Sequence, residues 1–139
     1  AQSYGVKIVF LGDKGEGSEV VGRIIAKMKQ PAVNLSGQTN LKQLSELLRR
    51  SSLAIVNDSG PMHIASYLDV PVLTLFGPTD PVVSAPWGKT GYFIKKDGHC
   101  AACESGREDI EHHCMKSITS EEIFNAIVFK DGLFTFGKS

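Results

Sequence analysis

The sequence predicts an α/β fold, a three-layer Rossmann-like domain with a mostly parallel sheet. Three observations point there. Short apolar runs rich in valine and isoleucine alternate with amphipathic helical stretches along most of the chain, the pattern of βαβ units. Those runs are nearly continuous in apolar character, as expected of strands covered on both faces. Most of them end in a loop rich in glycine or polar residues, which is where open α/β sheets take their ligands. A length of 139 residues suits one domain spanning 1–139.

The first strand is expected over Val6–Leu11, closed by Gly12-Asp13 and a loop with Gly15 and Gly17. A helix from about Ser18 to Lys29 follows, with Val21, Ile24, Ile25 and Met28 on one face. Pro31 stops it, and Ala32–Leu35 forms a short second strand. After the loop Ser36–Thr39, a helix from about Asn40 to Arg50 buries a stripe of Leu41, Leu44, Leu47 and Leu48. Ser52–Val56 reads as a third strand, and a helix begins near Gly60 with Pro61 in its first turn. Val70–Phe76 is a fourth strand, closed by a turn over Gly77–Pro81, and Tyr92–Ile94 is a short fifth. The sheet is thus expected to hold four to six strands. Gly98–Cys114 is polar and irregular. Thr119-Ser120-Glu121-Glu122 is a capping box that opens a last helix with Ile123, Phe124, Ile127 and Val128 inward. The tail after Lys130 docks through Leu133, Phe134 and Phe136 or frays.

Composition narrows the classes of function. Fifteen basic residues balance fifteen acidic ones, which gives no support to a nucleic-acid partner. No apolar run approaches the roughly 20 residues that span a bilayer, and the first residues lack the charged leader and apolar core of a signal peptide. Three cysteines, an odd number, fit a reducing compartment better than a disulfide framework. A cytosolic protein is expected.

The run Asn57-Asp58-Ser59-Gly60-Pro61-Met62-His63 concentrates the chemistry. It places an acid, a hydroxyl, a glycine and a histidine between a strand and a helix, where backbone N–H groups and the helix dipole attract phosphate. Gly60 lets an oxygen come close to the backbone. Gly77 adds backbone access and Thr79 a hydroxyl on a second strand-end loop. Bland alternatives stand beside each residue. Asp58 or Ser59 serves equally as a plain N-cap, His63 as a packed core histidine, and Gly77 with Pro78 as a simple turn. A serine-hydrolase elbow needs glycines two residues either side of the serine, but Ser59 has Asn57 and Pro61 there. A dinucleotide fingerprint needs Gly-x-Gly-x-x-Gly, and Gly12, Gly15 and Gly17 are spaced differently. A diphosphate suits the converging loops better than a metal or a nucleic acid.

Cys100-x-x-Cys103 and Cys114 lie among His99, His112 and His113. The spacing can clamp zinc or iron. With one Cys-x-x-Cys only, a reduced cluster without metal is the preferred reading, and no cofactor is expected.

Asn57–Ala65, followed by Pro71-Val72-Leu73-Thr74-Leu75-Phe76-Gly77-Pro78-Thr79-Asp80-Pro81, resembles the carboxyl-terminal half of the ADP-heptose–lipopolysaccharide heptosyltransferases, glycosyltransferase family 9. Val9–Gly12 resembles the opening strand of that half, and Leu35–Leu41 the segment before its second helix. The cysteine loop resembles one in the heptosyltransferase II branch. The resemblance covers nearly the whole chain. It implies the carboxyl-terminal half of a GT-B fold and binding of a nucleotide-sugar donor. Asp58 would lie near the heptose, the N–H groups of Ser59, Gly60 and Met62 would hold the diphosphate, and His63 would stand close to the phosphates. Gly37–Thr39 would flank the adenine, with Thr39 in contact, and Glu16 or, as preferred, Glu19 would bind the ribose. The family's amino-terminal acceptor domain, with its catalytic base, has no counterpart in these residues, so no catalytic residue is expected here. The lipopolysaccharide acceptor and any peripheral membrane contact would belong to that missing half. Two alternatives remain: half of another GT-B enzyme using a UDP-sugar, and a non-catalytic metal or interaction module built on the cysteines.

Overall fold

The computed structural model describes residues 5–87, 91–96 and 113–128, with Glu16 by its backbone alone. Packing divides the chain into two compact units, residues 1–46 and 47–139.

The first unit contains β1 (Val9–Phe10), α1 (Glu16–Lys27), β2 (Val33–Asn34) and most of α2 (Leu41–Arg49). β1 and β2 run parallel, with Val9 opposite Val33 and Phe10 opposite Asn34. The ladder continues in single bonds, from the Val33 amide to the Ile8 carbonyl and from the Leu35 amide to the Phe10 carbonyl, both 2.9 Å. β1 is much shorter than the six residues expected because β2 offers it little to pair with. Upstream, Pro31 has no N–H to give. Downstream, the Asn34 side chain accepts from the Ser36 amide at 2.9 Å and turns the chain away. α1 packs on β2, with Val21 buried, and ends where Met28 takes an extended backbone. α2 starts on a reciprocal cap, the Asn40 amide donating to Gln43 Oε1 and the Gln43 amide to Asn40 Oδ1. Of its expected stripe, Leu48 is buried but Leu41 is 68% exposed, because it occupies the first helical position beside the cap. Ile24 is likewise exposed.

The second unit is built on β3 (Ala54–Asn57), β4 (Val72–Phe76) and β5 (Gly91–Lys95), all parallel in the order β3-β4-β5. Asn57 lies opposite Leu75, and Phe76 opposite Lys95, so the three strands finish together on one edge. Instead of one continuous sheet, the described strands therefore form a two-stranded and a three-stranded parallel ladder. α3 (Gly60–Tyr67) crosses from β3 to β4 and packs on both. Met62 and Ala65 of α3 and Val72, Leu73 and Phe76 of β4 are all buried in the core of this unit. β4 is the expected apolar strand, buried along nearly its whole length, whereas Ile55 of β3 and Phe93 of β5, the outer strands of this ladder among the described residues, are exposed. α3 ends in a Schellman motif. The Val70 amide reaches the Ala65 carbonyl at 3.0 Å and the Asp69 amide the Ser66 carbonyl at 3.1 Å. Asp69 supplies the left-handed residue at φ 55°, a conformation that short polar side chains tolerate.

Thr74, at the centre of β4, is completely buried, and its hydroxyl has no partner among the described residues. Thr74→Val should raise stability by about 1 kcal/mol, since it removes a desolvated polar group at nearly constant shape. The check is the urea midpoint of unfolding.

Two further helices differ from expectation. The turn expected over Gly77–Pro81 runs on into the short helix α4 (Pro81–Ser84). Asp80 caps it by accepting from the Val82 amide at 2.9 Å, and Pro81 fills its first position, a helix-start signal in its own right. His113–Lys116 forms α5 at the end of the segment expected to be irregular. The rest of that segment and the tail beyond Val128 lie outside the described residues. The capping box on α6 (Ser120–Val128) is formed as expected, with the Thr119 amide donating to Glu122 Oε2 at 2.9 Å. Phe124 of this helix is exposed, not inward.

Glu122 also pairs with Lys96, just past the end of β5. The Lys96 ammonium, then the Thr119 amide and hydroxyl, lower its carboxyl from an ordinary 4.5 to about 2. A depressed carboxylate stabilises the fold above its unfolded pKa and loses that contribution as pH falls through the folded one. Glu122→Gln should therefore lower the urea midpoint at neutral pH, and the gap to the parent should close between about pH 4.5 and about pH 2. A gap constant over that window would contradict the ion pair.

Candidate functional site

The flush carboxyl edge of β3, β4 and β5 carries the site. From β3 come Asp58, Ser59 and Gly60; from β4, Gly77, Thr79 and Asp80; from β5, Lys95.

Ser59 stands at the N-cap of α3 with extended backbone, but its side chain does not cap the helix. Its hydroxyl instead donates back to the Asn57 carbonyl at 3.0 Å. The Met62 amide is already used, donating to the Ser59 carbonyl at 3.0 Å. Met62 thus departs from its expected role: its N–H closes the first turn and its side chain belongs to the core. Among the described residues the amides of Ser59 and Gly60 have no acceptor. Gly60 is exposed, and a Cβ placed there would meet no atom within 4 Å. Neither packing nor a left-handed backbone requires glycine at this position. His63 is exposed one turn further along α3, which removes the packed-core alternative.

Asp58 is half-buried, and its Oδ2 accepts from the Ser84 hydroxyl at 3.0 Å. The Thr79 side chain is exposed, while its carbonyl accepts from Lys95 Nζ at 3.0 Å. Gly77 also has a packing part. A Cβ there would lie 3.3 Å from Met115 Sδ, so its bare backbone makes room for α5. Cys114 lies half-buried on that helix; Cys100 and Cys103 lie outside the described residues. Among the described residues no group of histidine, cysteine, aspartate or glutamate side chains is arranged to hold a metal ion.

Glu19 and Thr39 belong to the first unit. Glu19 is exposed in the first turn of α1, and Thr39 is half-buried before α2. At the ends of β1 and β2 the Gly37 amide donates to the Gly12 carbonyl at 2.9 Å. Gly37 has φ 69°, and a Cβ on it would lie 2.7 Å from Lys14 Cα. The turn before Thr39 therefore needs glycine for both its backbone and its packing.

Sequence reading missed Lys95 and Ser84. A lysine directly after Tyr92-Phe93-Ile94 was a usable signal, because a parallel strand delivers whatever ends it to the ligand edge. Ser84 had none, since its contact with Asp58 spans 26 residues.

Residues 1–114 match the sequence profile of Glycosyltransferase family 9 (heptosyltransferase). The chain belongs to that family. Relatives include Lipooligosaccharide heptosyltransferase 2 of Campylobacter jejuni, 30% identical over 132 residues, which covers 91% of this chain and 41% of that protein. Lipopolysaccharide heptosyltransferase 2 of Escherichia coli is 32% identical over 134 residues, covering 91% and 38%. Among solved structures, a family 9 glycosyltransferase from Veillonella parvula superposes with a TM-score of 0.76 at 26% identity, over 89% of this chain and 36% of that one. The Escherichia coli ADP-heptose LPS heptosyltransferase II gives 0.74 at 25% identity, over 91% and 37%. The chain thus spans roughly two-fifths of the length of these family members. The parallel α/β architecture is theirs as well. No helix among the described residues is long and apolar enough to cross a membrane.

Proposed function

We propose that this family 9 chain is the donor-binding, carboxyl-terminal half of an inverting heptosyltransferase that acts on the lipopolysaccharide inner core. The observation that carries the proposal is the pair of unused amides at Ser59 and Gly60, beneath an open glycine face on the ligand edge. Two N–H donors at a helix start, with the helix dipole behind them, suit a diphosphate. Lys95 adds a cation on the same edge. The names of the relatives supply heptose, and that of the solved Escherichia coli enzyme supplies ADP.

In this reading an acceptor hydroxyl oxygen bonds to the anomeric carbon as the bond from that carbon to the diphosphate oxygen breaks. The hydroxyl proton passes to a base in the acceptor half, and ADP leaves. These residues stabilise the charge that grows on the departing diphosphate, and no metal is assigned to the step. Asp58 addresses the sugar. The whole enzyme would work at the cytosolic face of the inner membrane on a lipopolysaccharide precursor.

Calorimetry of the chain with ADP, UDP and GDP tests the proposal. ADP is expected to bind at least about tenfold more tightly than the other two, a difference of about 1.4 kcal/mol. Preference for UDP would move the chain to a UDP-sugar enzyme. Bound zinc or iron without ADP affinity would favour a metal module built on the cysteines.

A further inference from the structure

We propose that Ser84 is a positioning residue for Asp58, and that through it α4 sets how the site discriminates a nucleotide sugar from the bare nucleotide. The inference rests on the donor-site reading above.

Asp58 follows the last residue of β3, and among the described residues its carboxylate has one hydrogen-bond partner, the Ser84 hydroxyl on Oδ2 at 3.0 Å. Oδ1 has no hydrogen-bond partner among the described residues. An aspartate's terminal torsion is broad and roughly two-fold, so a carboxylate held by nothing would present its oxygens at variable angles. One bond from a fixed donor selects an orientation. Ser84 is such a donor. It closes the short helix α4, whose start is pinned by the Asp80 cap and by Pro81. The Ser84 hydroxyl also lies 3.1 Å from the Asp80 carbonyl. It has a single proton to give, and the charged carboxylate is the stronger acceptor. The corner leading into α4 is itself tied to β5 by the bond from Lys95 Nζ to the Thr79 carbonyl. A line of polar contacts thus runs from β5 through the corner after β4 to the acid after β3.

A carboxylate facing a sugar accepts hydrogen bonds from hydroxyls that ADP alone lacks. Its orientation should therefore matter for ADP-heptose and hardly at all for ADP.

The test is calorimetry of the chain, its Ser84→Ala variant and its Ser84→Thr variant, each with ADP and with ADP-heptose. Ser84→Ala should weaken ADP-heptose roughly tenfold while ADP affinity stays within about twofold. Ser84→Thr, which keeps the hydroxyl, should restore ADP-heptose binding. An equal loss for both ligands would mean that Ser84 merely supports the fold at that edge, and would overturn the proposal. So would unchanged ADP-heptose affinity in Ser84→Ala, with the donor-site reading left standing. A parent chain that binds neither ligand would overturn that reading and this inference with it.

Discussion

Gly60→Val is expected to abolish measurable ADP binding and leave the fold intact. Valine at the first position of α3 places two methyl groups where a phosphate oxygen must approach the Ser59 and Gly60 amides. The loss should exceed about tenfold in affinity, or about 1.4 kcal/mol, because the amides lose contact with the ligand altogether. The substitution is a clean probe because the protein itself leaves that space empty: apart from its chain neighbours and the backbone of its own helix, no atom lies within 4 Å of the position a Cβ would take. The backbone there is not left-handed either, so valine brings no conformational strain. A melting midpoint near that of the parent is the companion measurement. A folded Gly60→Val chain with unchanged ADP affinity would remove the diphosphate from this corner.

Phe76→Ala should be the most destabilising single change among those considered, at about 3–5 kcal/mol. Phe76 is fully buried at the end of the central strand, and its ring meets Phe93 edge-on, with centroids 5.6 Å apart and planes at 78°. Truncation leaves a cavity against the face of the sheet that the β4–β5 backbone ladder prevents from closing. Domains typically have only about 5–15 kcal/mol of stability in all, so the variant should unfold at much lower urea. Phe76→Leu, which fills most of the volume, should cost less than half as much. A loss below about 1 kcal/mol in Phe76→Ala would show that this strand is not the core.

The elements that proved easiest to read were those whose signal lies within one stretch of chain. β4 announced itself through Val72-Leu73-Thr74-Leu75-Phe76, and α6 through the spacing of Thr119 and Glu122. Helix α4 was missed although Asp80-Pro81 carries both a cap and a first-turn proline; those two residues also make turns, and four residues give no periodicity to decide between them. Exposure was misjudged at Leu41 and Phe124 because a helical stripe says which side faces inward, not how far along the helix the cover extends. Within the candidate site, the strand-to-helix corner at Asp58–Gly60 was legible as a backbone feature, since its geometry is local. The role of Met62 was not, because the first turn of α3 uses its amide internally. Nor was the packing of Gly77 against Met115, which comes from far along the chain.

The parallel order β3-β4-β5 has a consequence in time as well as in space. Parallel neighbours are joined by long crossovers, and each crossover must close before its strand pairing is rewarded. A nascent chain that has made β3 and α3 already holds every residue from Asn57 to His63, yet its Asp58 is unanchored until Ser84 arrives 26 residues later. Lys95 comes later still. The motif is therefore written early, and the contacts that order its edge come late. Once the sheet has formed, the dependence runs the other way: a ligand that recognises only the closed edge holds it closed, by RT ln(1 + [L]/Kd).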